Sequence, residues 1–138
     1  MKLAPIIAQL RPLGFKTLGG AMEFAALRTA PGRLPAAYVV PESDDAAANR
    51  YASGAVDQRV TETWSIVVVL DAARRAGAEA ISEELEDWRQ AICAALIGWT
   101  HPEASNVTEY AGGRLLSADG TTLAWALRFR APYHLRKV

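Results

Sequence analysis

Hydrophobic and polar positions alternate most regularly between Val56 and Leu70, VDQRVTETWSIVVVL. Trp64, Ile66, Val68 and Leu70 fall on one face, and Asp57, Arg59, Thr61, Thr63 and Ser65 on the other. That period of two, rich in β-branched residues, predicts a long β-strand. Val67 and Val69 make its far end apolar on both faces, as expected of a central strand covered on each side.

Upstream, Leu3, Ile6, Ile7 and Leu10 mark one face of a helix, with Pro5 in its first turn and Pro12 and Gly14 ending it. Phe15 to Leu18 reads as a short edge strand. Ala21 to Thr29 reads as a second short helix with Phe24 and Leu27 inward, stopped by Pro31 and Gly32. Ala36 to Val40, bracketed by Pro35 and Pro41, is a strand by content. The polar segment from Glu42 to Ala55 shows no sustained periodicity and predicts a long arm or loop, in which Arg50 and Tyr51 are the residue types that anchor interfaces.

Downstream, Gly77 opens the main helix. Ala78, Ile81, Leu85, Trp88, Ile92, Leu96 and Trp99 make an apolar stripe, and Gly98 is placed to cap its end. Asp119-Gly120 predicts a two-residue type I′ hairpin turn. Facing residues then pair Leu116 with Leu123, Tyr110 with Phe129 and Glu109 with Arg130, with a bulge expected at Gly112-Gly113. The last strand puts Leu123, Trp125, Leu127, Phe129, Tyr133 and Leu135 under the helix, and Arg128, Arg130, His134 and Arg136 on the opposite side. The sum is one α+β domain over residues 1–138, with a mostly antiparallel sheet of about four to five strands. One long helix packs across the sheet, and two short helices lie near the N-terminus.

Composition narrows the function. The 138 residues carry 15 basic and 15 acidic side chains, a formal net charge of zero. That argues against general nucleic-acid binding, which needs a basic surface, and leaves self-association unopposed. Twelve of the fifteen basic residues are arginine, which is enriched at protein interfaces. No run of about 18 apolar residues suggests a membrane span, and no signal-peptide pattern is present, so synthesis in the cytoplasm is expected. Cys93 stands alone, and His101 and His134 lack a ligand cluster, so no metal, cofactor or catalytic site is expected. A Cys93–His134 pair stays open, without support. Two charged patches remain: the helix from Glu79 to Asp87 has no base, and Arg128 to Lys137 has no acid. They are either solvated or paired within one subunit, or they meet head to tail between subunits, which generates a ring when the rotation closes.

LGGAMEFAAL at 18–27, PAAYVVP at 35–41 and NRYASGAVDQRVTETWSIVVV at 49–69 resemble the tail terminator (tail completion) proteins of long-tailed bacteriophages and prophages. ALIGWTHPE at 95–103 and EYAGGRLLSADGTTLAWALRFRAPYHLR at 109–136 carry the resemblance through most of the chain. It implies a non-enzymatic virion subunit forming a ring, typically a hexamer, on the head-proximal end of a tail tube. Such a ring stops tube growth and presents the joining surface for the neck, while DNA passes through its lumen without specific binding. The implied partners are further copies of the chain, the tail tube protein and a neck or head-completion protein. Candidate interface positions, chosen from the residues, are Arg50, Tyr51, Arg59, Glu83, Asp87, Arg128 and Arg130. The arm at 42–55 is expected to be mobile in the free monomer and to order against a neighbour. Another neck ring protein, or a small dimeric α+β ligand-binding domain, remains open as an alternative.

Overall fold

A computed structural model describes residues 1–25, 33–73 and 78–138. Chain order is α1 (Ala4–Leu10), a 3-10 turn (Arg11–Leu13), β1 (Thr17–Gly19), α2 (Ala21–Ala25), β2 (Ala36–Ala46), β3 (Val56–Asp71), α3 (Ala78–Leu96), β4 (Glu109–Ala118) and β5 (Thr122–Lys137). The strands form one sheet in the order β1-β2-β3-β5-β4, so the Val56–Leu70 stretch is central as its alternation predicts. Leu27, the end of the second helix at Thr29, and Gly77 lie outside the described residues.

The sheet is mixed, not mostly antiparallel. β1 runs parallel to β2, pairing Thr17 with Ala36 and Gly19 with Tyr38, while the other three neighbouring pairs are antiparallel. The connection through α2 crosses from one strand to the next, as a parallel pair requires.

β3 and β5 pair without interruption from Val56↔Lys137 to Asp71↔Thr122. Trp64, Ile66, Val68 and Leu70 therefore share one face with Leu127, Phe129 and Ala131. α1 and α3 cover that face through Ile6, Leu10, Ile92 and Leu96, all buried. Phe15 belongs to no strand; it stacks on Trp88 of α3, ring centroids 4.0 Å apart. On the opposite face Val67, Val69, Ala124 and Ala126 join Ala36 and Tyr38, with Phe24 of α2 packed against them. Both faces of the inner half of the sheet are thus covered, which explains its continuous apolar run. The helix does not reach the outer end of β5, where Leu135 is half exposed.

β2 does not stop at Val40. It continues through Pro41 to Ala46, so residues 42–46 of the expected loop are strand, with Ser43–Ala46 paired to Val60–Thr63 and Glu42 at the register shift. Proline is tolerated there because the register shifts between Pro41 and Ser43, and β1 accompanies only Ala36–Tyr38.

The β4–β5 turn is also not type I′. Neither Asp119 nor Gly120 has positive φ. The Asp119 carboxylate instead accepts bonds from the Thr121 and Thr122 amides and the Thr121 hydroxyl at 2.7–2.8 Å. Ala118 consequently faces Leu123, and Leu116 falls at a register shift without facing Leu123. A second shift between Tyr110 and Gly112 restores the predicted Tyr110↔Phe129 and Glu109↔Arg130 pairs. Gly112 has φ +114° at that shift, the bulge expected from the glycine pair. Gly98, at φ +81°, follows the end of α3 as predicted.

A Cβ on Gly113 would lie 2.8 Å from the Tyr110 hydroxyl, 2.9 Å from Trp125 Nε1 and 3.1 Å from the Ala126 carbonyl. Gly113→Ala is therefore expected to destabilise the fold by about 1–3 kcal/mol in urea unfolding.

Candidate assembly surface

Past the α2-covered patch, the same sheet face carries the charge. Because β5 alternates, Arg128, Arg130, Pro132, His134 and Arg136 sit beside Ser65, Thr63, Thr61, Arg59 and Asp57 of β3. The candidates Arg59, Arg128 and Arg130 are thus brought onto one surface. Arg59 and Arg130 line an open depression of about 340 Å³ with Asp45, Thr61 and Glu109.

Arg128 and Arg130 do not wait for a partner. Arg128 donates to Glu42 at 2.9 Å and Arg130 to Glu109 at 3.3 Å. The second is the cross-strand pair foreseen from the hairpin; the first was invisible while Glu42 was read as loop. Burial pushes the Glu42 carboxyl up. Hydrogen bonds from Ser65 and Arg128, with the Arg128 and Arg114 charges, outweigh it and leave the group below its ordinary value. Glu83 and Asp87 lie exposed on α3, which packs against the other face of the sheet. The helix acids and the β5 arginines are therefore not brought together within a subunit.

Arg50 and Tyr51 sit in the loop joining β2 to β3, where residues 47–55 remain outside regular strands. Its conformation is built around Asn49. The Asn49 amide donates to the Tyr51 and Ala55 carbonyls at 3.0 and 2.9 Å, and its oxygen accepts the Asp57 N–H at 2.8 Å. Beside it the Arg50 guanidinium stands 5.5 Å from the Tyr51 ring centroid, and Tyr51 is about half exposed.

Asp57 ties this loop to β5, and the sequence reading missed it. Its carboxylate, 6% exposed, lies 2.7 Å from His134 Nδ1, 3.4 Å from Arg50 and 3.6 Å from Arg136. The His134 hydrogen bond, opposed by burial and aided by the Arg136 charge, holds the carboxyl below its ordinary value. Alternation placed Asp57 on the charged face, but only the folded register reveals its burial.

The remaining chemistry-bearing residues have structural places. His101 is fully buried, its Nδ1 accepting the Glu103 N–H, so Nε2 carries the proton donated to the Lys2 carbonyl at 2.8 Å. Cys93 packs on the helix-covered core, across the sheet from His134, which separates that pair. Burial raises the Cys93 thiol pKa. Among the described residues, no group of three or more His, Cys, Asp or Glu is arranged to hold a metal ion, and no helix is long and apolar enough to cross a membrane.

An α+β domain with a charged open sheet face and a braced hairpin tip is the class that this geometry defines. Comparison with known proteins gives it a family. The phage tail terminator protein family model matches residues 1–137, and the chain belongs to that family. The family is one of structural virion proteins, which gives the chain a structural role in the tail. Among solved structures, the fold is similar to a chain of the "Virion of native gene transfer agent (GTA) particle". That match has a TM-score of 0.55 and 20% identity, and covers 96% of this chain and 93% of that one. No curated protein matches.

The folded Asp57 has the lower pKa, so its contribution is complete at neutral pH and is lost as pH falls through the folded value. Amide-exchange protection across residues 49–57 is expected to drop below about pH 4. Asp57→Asn should flatten that dependence and reduce protection at pH 7.

Proposed function

We propose that copies of this protein form a ring, a hexamer, that caps the head-proximal end of a phage tail tube. The ring ends tube polymerisation and offers the neck its joining surface, with DNA passing through the lumen unread. No bond is made or broken. The observation that carries this reading is the family match along residues 1–137. Support comes from the zero net charge, which leaves a DNA-wide lumen without general affinity for phosphate.

In this reading the open sheet face, with Arg59 and the exposed ends of Arg128 and Arg130, meets the tube protein. The acidic surface of α3, with Glu83 and Asp87, lies on the other side for a neighbouring neck component. Arg50 and Tyr51 at the hairpin tip are the contact residues furthest from the core.

Substoichiometric protein added to polymerising tube protein should limit tube length, and electron microscopy should show a six-membered ring at one end. Unchanged length distributions and bare tube ends would count against the proposal. Arg59 makes no ion pair among the described residues. Arg59→Glu should therefore raise the concentration needed for capping about tenfold, with the thermal midpoint unchanged.

A further inference from the structure

The outer half of the sheet is a three-stranded ribbon of β2, β3 and β5, and among the described residues no further strand pairs with either long edge. β1 accompanies β2 only along Ala36–Tyr38, and β4 leaves β5 after Glu109↔Arg130. Beyond that point Ser105 reaches the Pro132 carbonyl, and residues 133–137 have no strand on that side among the described residues.

The backbone directions can be read from two bonds. The Ala47 N–H donates to the Arg59 carbonyl, so odd residues of outer β2 face β3, and Asp44 and Ala46 turn theirs outward. The Pro132 carbonyl points away from β3 to Ser105, so His134 and Arg136 likewise turn N–H and C=O outward.

The two edges carry opposite charge. On the β2 edge stand Asp44 and Asp45, which make no ion pair among the described residues. On the β5 edge stand Lys137, and His134 and Arg136, which share the single Asp57 carboxylate with Arg50, so that the two arginines there still outnumber the one carboxylate. Face matches face as well. Asp44 pairs with Glu62 and Lys137 with Val56, which puts both on the helix-covered side of the sheet. Asp45, His134 and Arg136 lie on the other side. Two copies joined β2 to β2 would oppose aspartates, and two joined β5 to β5 would oppose cations. Only β2 against β5 is attractive on both faces.

We propose that the β2 edge at Glu42–Ala46 of one copy adds to the β5 edge at Tyr133–Lys137 of the next, continuing the sheet from subunit to subunit. The contact is heterologous, as a closed ring demands. Because β2 and β5 both run antiparallel to β3, the added strands are parallel when the sheet continues in the same sense. This assignment rests on the ring reading and names the surface through which the ring closes. It replaces a head-to-tail contact between the α3 acids and Arg128 and Arg130, whose guanidinium groups meet Glu42 and Glu109 of their own chain.

Asp44→Lys and Lys137→Glu test it, since neither residue has an ion-pair partner among the described residues. Self-association is measured by sedimentation velocity up to about millimolar concentration, and by labelled protein on tube ends, with circular dichroism as a check on folding. Each variant alone should associate about tenfold more weakly than wild type. An equimolar mixture should recover wild-type association, because the two reversed edges, of Asp44→Lys and of Lys137→Glu, fit each other and the two native edges fit each other when the variants alternate. Wild-type behaviour by both single variants overturns the edge contact and leaves the ring reading standing. Weakening without recovery in the mixture overturns it too, since the residues then act within their own chain. A wild-type protein that stays monomeric in solution and on tube ends overturns both.

Discussion

The uninterrupted register between β3 and β5 is the constraint on which the rest of the molecule depends. It sets Trp64 against Phe129 and Ile66 against Leu127, which closes the core beneath α1 and α3. The same register sets Arg59 against His134 and Asp57 against Arg136, which builds the charged surface. A slip of one residue would carry every side chain of one strand to the other face. Arg128 and Arg130 would then enter the core, while Leu127 and Phe129 would meet water. Core and surface are therefore specified together, and the cost of misplacing the arginines reinforces the preference of the apolar residues.

What the sequence made legible follows from period and partner distance. β3 and β5 were readable because each alternates over many residues, with one face apolar and the other charged. The outer part of β2, ESDDA, offered no such contrast. Its residues are exposed on both faces, so its strand conformation comes from backbone pairing with β3, which leaves no hydrophobic trace. The β4–β5 turn failed for a different reason. Asp119 satisfies three donors with its own carboxylate, a local solution that competes with the positive-φ geometry of a type I′ turn. The longer turn and the two register shifts on β4 offset each other, which is why Glu109↔Arg130 emerged correctly from a wrong turn.

The candidate surface was legible in the same partial way. Alternation alone gathers Arg59, Arg128 and Arg130 on one face. It cannot find Glu42, which reaches Arg128 across 86 residues of sequence, nor the burial of Asp57, which needs strands on both sides. Asn49 carried a weak signal as a loop asparagine. That its side chain bonds across the loop to Tyr51, Ala55 and Asp57 is a property of the closed hairpin.

The bracing of the hairpin tip bears directly on the proposed assembly. A loop without internal structure gives up about 1–2 kcal/mol of backbone entropy for each residue it orders on contact. For the nine residues 47–55, that cost would rival the gain from a modest protein interface. Here Asn49 satisfies the loop's own backbone groups, and Asp57 holds Arg50, His134 and Arg136 around one buried carboxylate. Much of the ordering cost is therefore met during folding. Backbone pairing with β3 holds the strands of the outer ribbon, and this polar network adds the bracing of its tip. In the proposed ring, a subunit that meets its neighbours by shape and charge gains most from arriving with that shape already formed.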